Sequence, residues 1–583
     1  MNMRSFQRAL SSGTKKPVYH LFILVALATS LSWKPVPKTE APVAPRERQG
    51  ISMCGNFSLT EEYLTAPIRL MDGLGDLHYP IETSDSMAQK YFDQGLRLVY
   101  AFNHMEALRS FMEASRLDPN SPMTYWGQAL ALGPNINDLN PGDRETMAYE
   151  AISNARKLAS GKDPKEIDFI NALSARYDGK VHLIRDSLNV AYMLAMESLS
   201  KKYPNDQEAK VLYADAIMNS IPWDYWDENG SPKPATTKAK EALEDAMGKF
   251  PSHPGAHHMY IHLVEASPNP GDAFFSAVFL ENAMPKAGHI VHMPSHIFVR
   301  VGEYERANVA NRKAITVDEA YLAEAEEQGL YRGMYYPHNI DFLVFGSMMT
   351  GQFAQSYREA SKLAYHIFAM EKDMPVYFDY FMAMPVITYV RFGAWNEILA
   401  LPPADTRYYQ ISATHHFARG MAFLGKDMVA EAEAEFRSLE SINEQDTLKS
   451  IYAFFNSTHQ ITNVATHILK GELLIKQGKR QDGIAALQQA VAAEDTMRYN
   501  EPPDWRLPAR HFLGAALIDE GEYEAAERVF EADLVRNPEN GWALKGLWQS
   551  QLKQGKADVA VKSQQRFEKV WKQADVSINS SKL

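Results

Sequence analysis

The residues best suited to chemistry in this chain are histidines. Eight of its eighteen histidines fall between positions 253 and 341: His253, His257, His258, His262, His289, His292, His296 and His338. His258 and His262 are four apart, as are His292 and His296, and on a helix that spacing sets two rings on one face. The second pair follows the first by 34 residues, member for member. Neutral imidazole is a ligand for zinc, copper, iron and nickel, and an i,i+4 pair is a bidentate clip on a helix. Two clips on neighbouring helices offer four nitrogens, and His338 offers a fifth. Glu265 and Asp341 are placed to bind directly, to bridge, or to orient rings from behind. One transition ion fills with such a set, and two are conceivable. Soft sulfur ligands are less evident, although Met259, Met293, Met348 and Met349 lie near in sequence.

Helices must position these side chains, and the rest of the chain supplies them in repeating form. An early unit reads YFDQGLRLVYAFNHMEALRSFMEASRLDP, with Gly95, Ala107, Phe111, Ala114 and Pro119 at spaced small and aromatic positions. A late unit, ARHFLGAALIDEGEYEAAERVFEADLVRNP, has Leu513, Gly514, Gly521, Tyr523, Ala526, Phe530 and Pro538 in the same frame. Small residues let two antiparallel helices approach, and the proline ends the second. These units resemble the tetratricopeptide repeat, whose period is about 34 residues. The resemblance covers positions 84–575 and implies an all-α right-handed superhelix of roughly ten to twelve helical hairpins, each burying its apolar face against its neighbours. FDQGLRLVYAFNHMEA, HMPSHIFVRVGEYERA and EPPDWRLPAR look like a subgroup of long, exported bacterial tetratricopeptide proteins. Insertions interrupt the pattern near Asp224 to Thr237 and near Asp318 to Met334.

In that family the first helix of each hairpin lines a concave groove through repeat positions 2, 5, 9, 12 and 13. With the Gly-x-Tyr/Phe turn set at positions 15 to 17, Gly302 and Tyr304 put His292 at 5, His296 at 9 and Arg300 at 13. One period earlier His258 stands at 5, His262 at 9 and Glu265 at 12; Gly351 and Phe353 put His338 at 2 and Asp341 at 5. The resemblance therefore implies five imidazoles and two carboxylates facing one concavity. His257 and His289 are expected off the groove, as structural residues or behind the ligands. His253 is expected near a helix start, and His104 and His467 in the core. His511 and the pair His415-His416 are expected along the groove. The segment Glu501-Pro-Pro-Asp504-Trp505-Arg506 reads as a helix-capping device that overhangs the groove if the spiral coils tightly. Trp223 to Trp226 reads as an insertion packed on its repeat, and Asn103, Asn135 and Asn137 as turn residues.

Composition narrows the function. Four basic residues, Arg4, Arg8, Lys15 and Lys16, precede the apolar run LFILVALATSLSW, so residues 1–33 read as an export signal or N-terminal anchor, with the small-x-small site Ala28-Thr29-Ser30. That predicts an exported protein, periplasmic or facing the periplasm, touching membrane only through this segment. Residues 34–83 form a proline-rich linker and lead-in, and 576–583 a tail. Without the first thirty residues the chain carries 56 basic against 72 acidic side chains, which argues against nucleic acid and anionic membrane as partners. A single cysteine, Cys54, excludes an internal disulfide framework. Phosphate loops, nucleophile elbows and cysteine metal motifs are absent from the sequence, which disfavours nucleotide chemistry and serine or cysteine hydrolysis.

Three readings follow. In the first, the groove holds one or two transition ions (zinc, copper or iron), and an open coordination position makes a metal-dependent hydrolase or oxidoreductase. Glu265 and Asp341 are then the candidates for proton transfer, and Arg300 for holding an anionic small-molecule substrate. In the second, the groove is a metal-free scaffold for a protein or peptide ligand. In the third, it stores or delivers metal.

Overall fold

A computed structural model describes residues 60–325, 329–371, 375–452 and 454–583. The export segment at 1–33, residues 34–59 of the linker and Cys54 lie outside the described residues. Among the described residues the protein is all-α, with helices succeeding one another from Glu61 to Gln573. Its only extended pairings there are isolated bridges such as Asn135 with Asp138. None of the described helices is long and apolar enough to cross a membrane.

Each helix packs chiefly on its neighbours in sequence, and the reason is visible in the small residues. A Cβ on Gly95 would stand 2.7 Å from the Phe111 ring, and one on Gly127 2.3 Å from it. Phe530 meets Gly514 and Gly546 in the same way, at 2.3 and 2.1 Å. In both cases the ring lies sixteen residues after one glycine and sixteen before the next. One rule of helix approach therefore operates at both ends of the chain, as expected of a helical-repeat fold of the tetratricopeptide type.

The turns confirm the register. Gly302, Gly351 and Gly521 adopt φ of 82°, 74° and 80°, a left-handed conformation that costs glycine nothing. The next N–H in each case reaches back over the helix end: Glu303 to the Phe298 carbonyl at 2.7 Å, Gln352 to Ser347 at 2.9 Å, Glu522 to Leu517 at 2.9 Å. This closes the exposed carbonyls of the first helix and starts the second two residues on. In the opening hairpin the same turn is made without glycine. Phe102 takes φ 55° while the Asn103 N–H donates to the Leu98 carbonyl at 3.0 Å. A phenyl-bearing residue in this region is strained by about 1–2 kcal/mol, and such strain concentrates where function holds a side chain in place.

Six helices build the site and are numbered in chain order: α1 Ser86–Tyr100, α2 Pro254–Val264, α3 Gly288–His292, α4 Pro294–Arg300, α5 Tyr304–Glu324 and α6 Tyr336–Met349. Between α3 and α4 the helix breaks at Met293, because Pro294 has no N–H to continue the ladder. The described part of the chain closes on this centre. The end of α1 reaches α2 at the Tyr100 carbonyl, and the segment 499–506 reaches α4 through Glu501 and α6 through Arg506. Residues 576–583, expected as a tail, return to the helices: Ile578 is buried, and the Ser581 hydroxyl donates to the His511 carbonyl at 2.8 Å.

Candidate metal centre

The histidines of α2, α3, α4 and α6 converge on a buried space rather than on an open groove. His258 and His292 are fully buried, and His296 is 3% exposed. They form two sets of three. In the first, ring nitrogens of His258, His262 and His289 lie within 4.8 Å of one another; in the second, those of His292, His296 and His338 do so. The closest approaches are His258 Nε2 to His289 Nε2 at 3.1 Å and His292 Nε2 to His296 Nε2 at 2.9 Å. The two sets adjoin, with the His262 and His296 rings 5.4 Å apart between centroids.

What stands behind the rings fixes which nitrogen faces inward. His258 Nδ1 donates to the Tyr100 carbonyl at 2.6 Å, and His262 Nδ1 to Glu265 at 3.1 Å. The Asn311 amide donates to the Ala307 carbonyl, so its oxygen is turned to accept from His292 Nδ1 at 2.7 Å. His296 Nδ1 meets both Glu265 and, at 3.1 Å, Glu501. Each acceptor places a proton on Nδ1, which leaves Nε2 of the neutral ring a bare lone pair. With both rings neutral, His292 and His296 would point lone pairs at each other at 2.9 Å, and His262 Nε2 has no hydrogen-bond partner among the described residues. Only a shared proton or a cation relieves that arrangement.

Electrostatics agrees. Burial, followed by mutual repulsion, holds His258, His289, His292 and His338 well below the ordinary imidazole range, and burial also lowers His262. His296 is the exception. Burial opposes its protonation, but the Glu265 and Glu501 carboxylates outweigh it and raise the ring to about 9. Burial likewise raises Glu501, to about 7, whereas for Glu265 the neighbouring His296 and His262 overcome burial and hold the carboxyl below its usual value.

Aromatic rings wall both triads. Phe102, held by its strained turn, lies 4.5, 5.7 and 5.2 Å from His258, His262 and His289. Phe342 lies 4.7, 4.7 and 4.9 Å from His292, His296 and His338. Trp223 stands edge-on to His262 at 5.4 Å and donates its indole N–H to the Ile136 carbonyl. Tyr335 packs on His289 at 4.7 Å and meets Asn137. Of the residues read as insertion and turn, Trp223 is a wall of the site, whereas Trp226 bonds the Leu263 carbonyl of its neighbouring helix and Asn103 and Asn135 serve a helix cap and a turn.

The structure brings all five predicted ligands together and adds His289, which the sequence reading set aside. The overlooked signal is register: His289 precedes Gly302 by thirteen residues, the same interval that separates His338 from Gly351. Glu265 sits behind the rings and joins the two triads through His262 and His296. Asp341 is directed elsewhere, against Arg506 at 2.5 Å, with burial raising its carboxyl to about 6. Arg300 is occupied by the Glu265 and Ser267 carbonyls at 3.0 and 3.1 Å and stands 3.8 Å from Glu501. Glu501, read as part of a capping device, is the carboxylate that reaches His296. His257 bonds through both nitrogens, to Ser276 and the Pro251 carbonyl, and His253 caps α2. His511 pairs with Asp533 and Arg391, and His416 with Glu435, outside both triads.

A cavity of about 60 Å³ lies beside Glu501, and no triad histidine is among its lining residues. Arg300, Tyr304, Tyr499, Glu501 and Trp505 line it, so Glu501 faces both the pocket and His296.

No family model and no curated protein sequence matches the chain. Among solved structures it is similar to human IFIT1, as a dimer with PPP-AAAA, at 12% identity over 83% of this chain and 91% of that one, with a TM-score of 0.31. It is similar to the Cut9-Hcn1 hetero-tetramer of the APC/C at 11% identity, covering 84% and 94%, TM-score 0.26. A third is Naa15/Naa10 bound to HypK-THB, at 14% identity, covering 83% and 70%, TM-score 0.21.

Proposed function

We propose that this exported helical-repeat protein carries a transition-metal centre in the buried heart of its spiral, held by imidazoles of α2, α3, α4 and α6, and that it is a metal-dependent enzyme. One observation carries the reading: four rings are tethered from behind through Nδ1, which turns their Nε2 atoms inward, and those of His292 and His296 meet at 2.9 Å. Neutral imidazoles packed this closely repel once protonated, whereas a bound cation uses every lone pair. A ligand set around an ion at about 2.0–2.1 Å has nitrogens about 3.3 Å apart, within small side-chain adjustments of the spacing found. Glu265 and Glu501 would set ring orientation and basicity, as carboxylates behind metal-bound histidines do.

The cavity beside Glu501 favours an enzyme over a storage protein, because Glu501 both lines it and bonds His296 Nδ1 at 3.1 Å. Glu501, with its carboxyl raised to about 7, is suited to exchange a proton with a molecule in that pocket. A peptide scaffold remains consistent with the repeat fold, but the buried rings would then be out of a peptide's reach. The test is metal analysis of protein purified without an affinity histidine tag. The proposal expects near-stoichiometric metal, lost in a variant with His258, His262, His292 and His296 changed to alanine that keeps its helical circular dichroism. Wild-type protein that stays empty when titrated with zinc or copper at neutral pH would leave the scaffold.

A further inference from the structure

The two triads are copies of one another in repeat register. The first takes positions 5 and 9 of one hairpin, His258 and His262, and position 2 of the next, His289; the second takes positions 5 and 9 of that next hairpin, His292 and His296, and position 2 of the one after, His338. The offset is 34 residues for the first two members and 49 for the third, the surplus of 15 falling in the long α5 and the turn of Tyr331–Tyr335. Each triad also has its own phenyl ring, Phe102 and Phe342. One ion spread over six ligands does not account for a site built twice.

Charge then discriminates between metals. The ligating atoms are six neutral nitrogens; the carboxylates against the rings are Glu265 and Glu501, and Arg300 stands 3.8 Å from Glu501, so the surroundings offer at most two negative charges. Two divalent ions would bring four positive charges into a buried space that offers two negative ones, and uncompensated buried charge is costly. Two copper(I) ions bring two. Hard ions such as magnesium, calcium or manganese want oxygen donors that these triads do not supply, whereas imidazole suits copper.

From this duplication and charge balance we infer that the centre is a copper pair, one ion on each triad, and that its small-molecule substrate is dioxygen. The inference rests on the metal reading above. His258, His262 and His289 would hold one copper(I), and His292, His296 and His338 the other. Each copper(I) would supply one electron, so that dioxygen would be reduced to peroxide as both ions became copper(II). Both electrons come from the metals, no proton is consumed, and the dianion offsets the charge gained.

The experiment titrates metal-free, full-length protein with copper(I) under anaerobic conditions and then admits oxygen. Two copper ions per chain are expected, followed by intense new near-ultraviolet absorption with no matching electron paramagnetic resonance, because the two copper(II) spins couple. His289→Ala and His338→Ala, checked for wild-type helicity, are each expected to bind one copper and lose the oxygen-dependent band. One copper per wild-type chain, two copper ions that give no oxygen-dependent band, or isolated copper(II) signals accounting for all the metal would overturn the pair. So would two zinc ions bound by a chain that rejects copper(I), although the metal reading would then stand. Wild-type protein that binds neither metal overturns both.

Discussion

Glu265 sets the sharpest local test, because one carboxylate stands behind a histidine of each triad. Its oxygens meet His262 Nδ1 at 3.1 Å and His296 Nδ1 more closely still, and the group is 1% exposed. Glu265→Gln keeps the shape but presents one acceptor and one donor where both rings need acceptors. One ring must then move its proton to Nε2, which removes a lone pair from the site. Loss of such an outer partner typically costs 10- to 100-fold in metal affinity, or about 1.4 to 2.7 kcal/mol. The assay is competition of the purified variant against a chelator of known affinity for zinc, with circular dichroism to confirm the helices. Because Glu265 acts through His262 and His296, its effect should not add to that of His262→Ala; the double variant should lose less than the sum of the singles. Affinity unchanged by Glu265→Gln, or strict additivity in the double variant, would refute this chain of reasoning.

Two further outcomes follow from the same geometry. In the metal-free chain at pH 7 His296, at about 9, and Glu501, at about 7, carry protons that a bound cation would displace, the other five imidazoles being held neutral by burial. Loading should therefore release about one to two protons per chain rather than five or six, and affinity should rise with pH up to about 9; calorimetry in buffers of different ionisation enthalpy measures this. The sign for stability is opposite. A ring whose folded value is raised above its ordinary 6.5 stabilises the metal-free fold below that pH, and the contribution is lost as pH rises through 9. At Phe102, alanine should destabilise by about 3–5 kcal/mol through the lost ring, while glycine should be milder by about 1 kcal/mol because it removes the left-handed strain. Urea unfolding of the two variants decides it, and a glycine variant no more stable than alanine would contradict the strain assignment.

Much of this was legible in the sequence because repeats convert spacing into geometry. The pairs His258/His262 and His292/His296 needed only a helix, and Gly302 and Gly351 fixed the frame that carried His338 to the same place. His289 was missed although the same count places it beside them, and the break at Met293–Pro294, which separates α3 from α4, is invisible in a plain helical projection. Glu501 and Phe102 lay beyond reach for a different reason. Glu501 is 205 residues from His296, and the His258 tether at Tyr100 is 158 residues away, so both depend on how tightly the spiral closes. That closure also turned an expected open groove into an enclosed centre. Asp341 was placed on the right hairpin, but its partner, Arg506, comes from the covering segment and holds it away from the triads.

The most direct measurement is X-ray diffraction from crystals of the copper-loaded protein, with data on either side of the copper absorption edge. Two anomalous peaks are predicted, one enclosed by His258, His262 and His289 and the other by His292, His296 and His338. A single peak, or peaks away from these six rings, would contradict the paired centre.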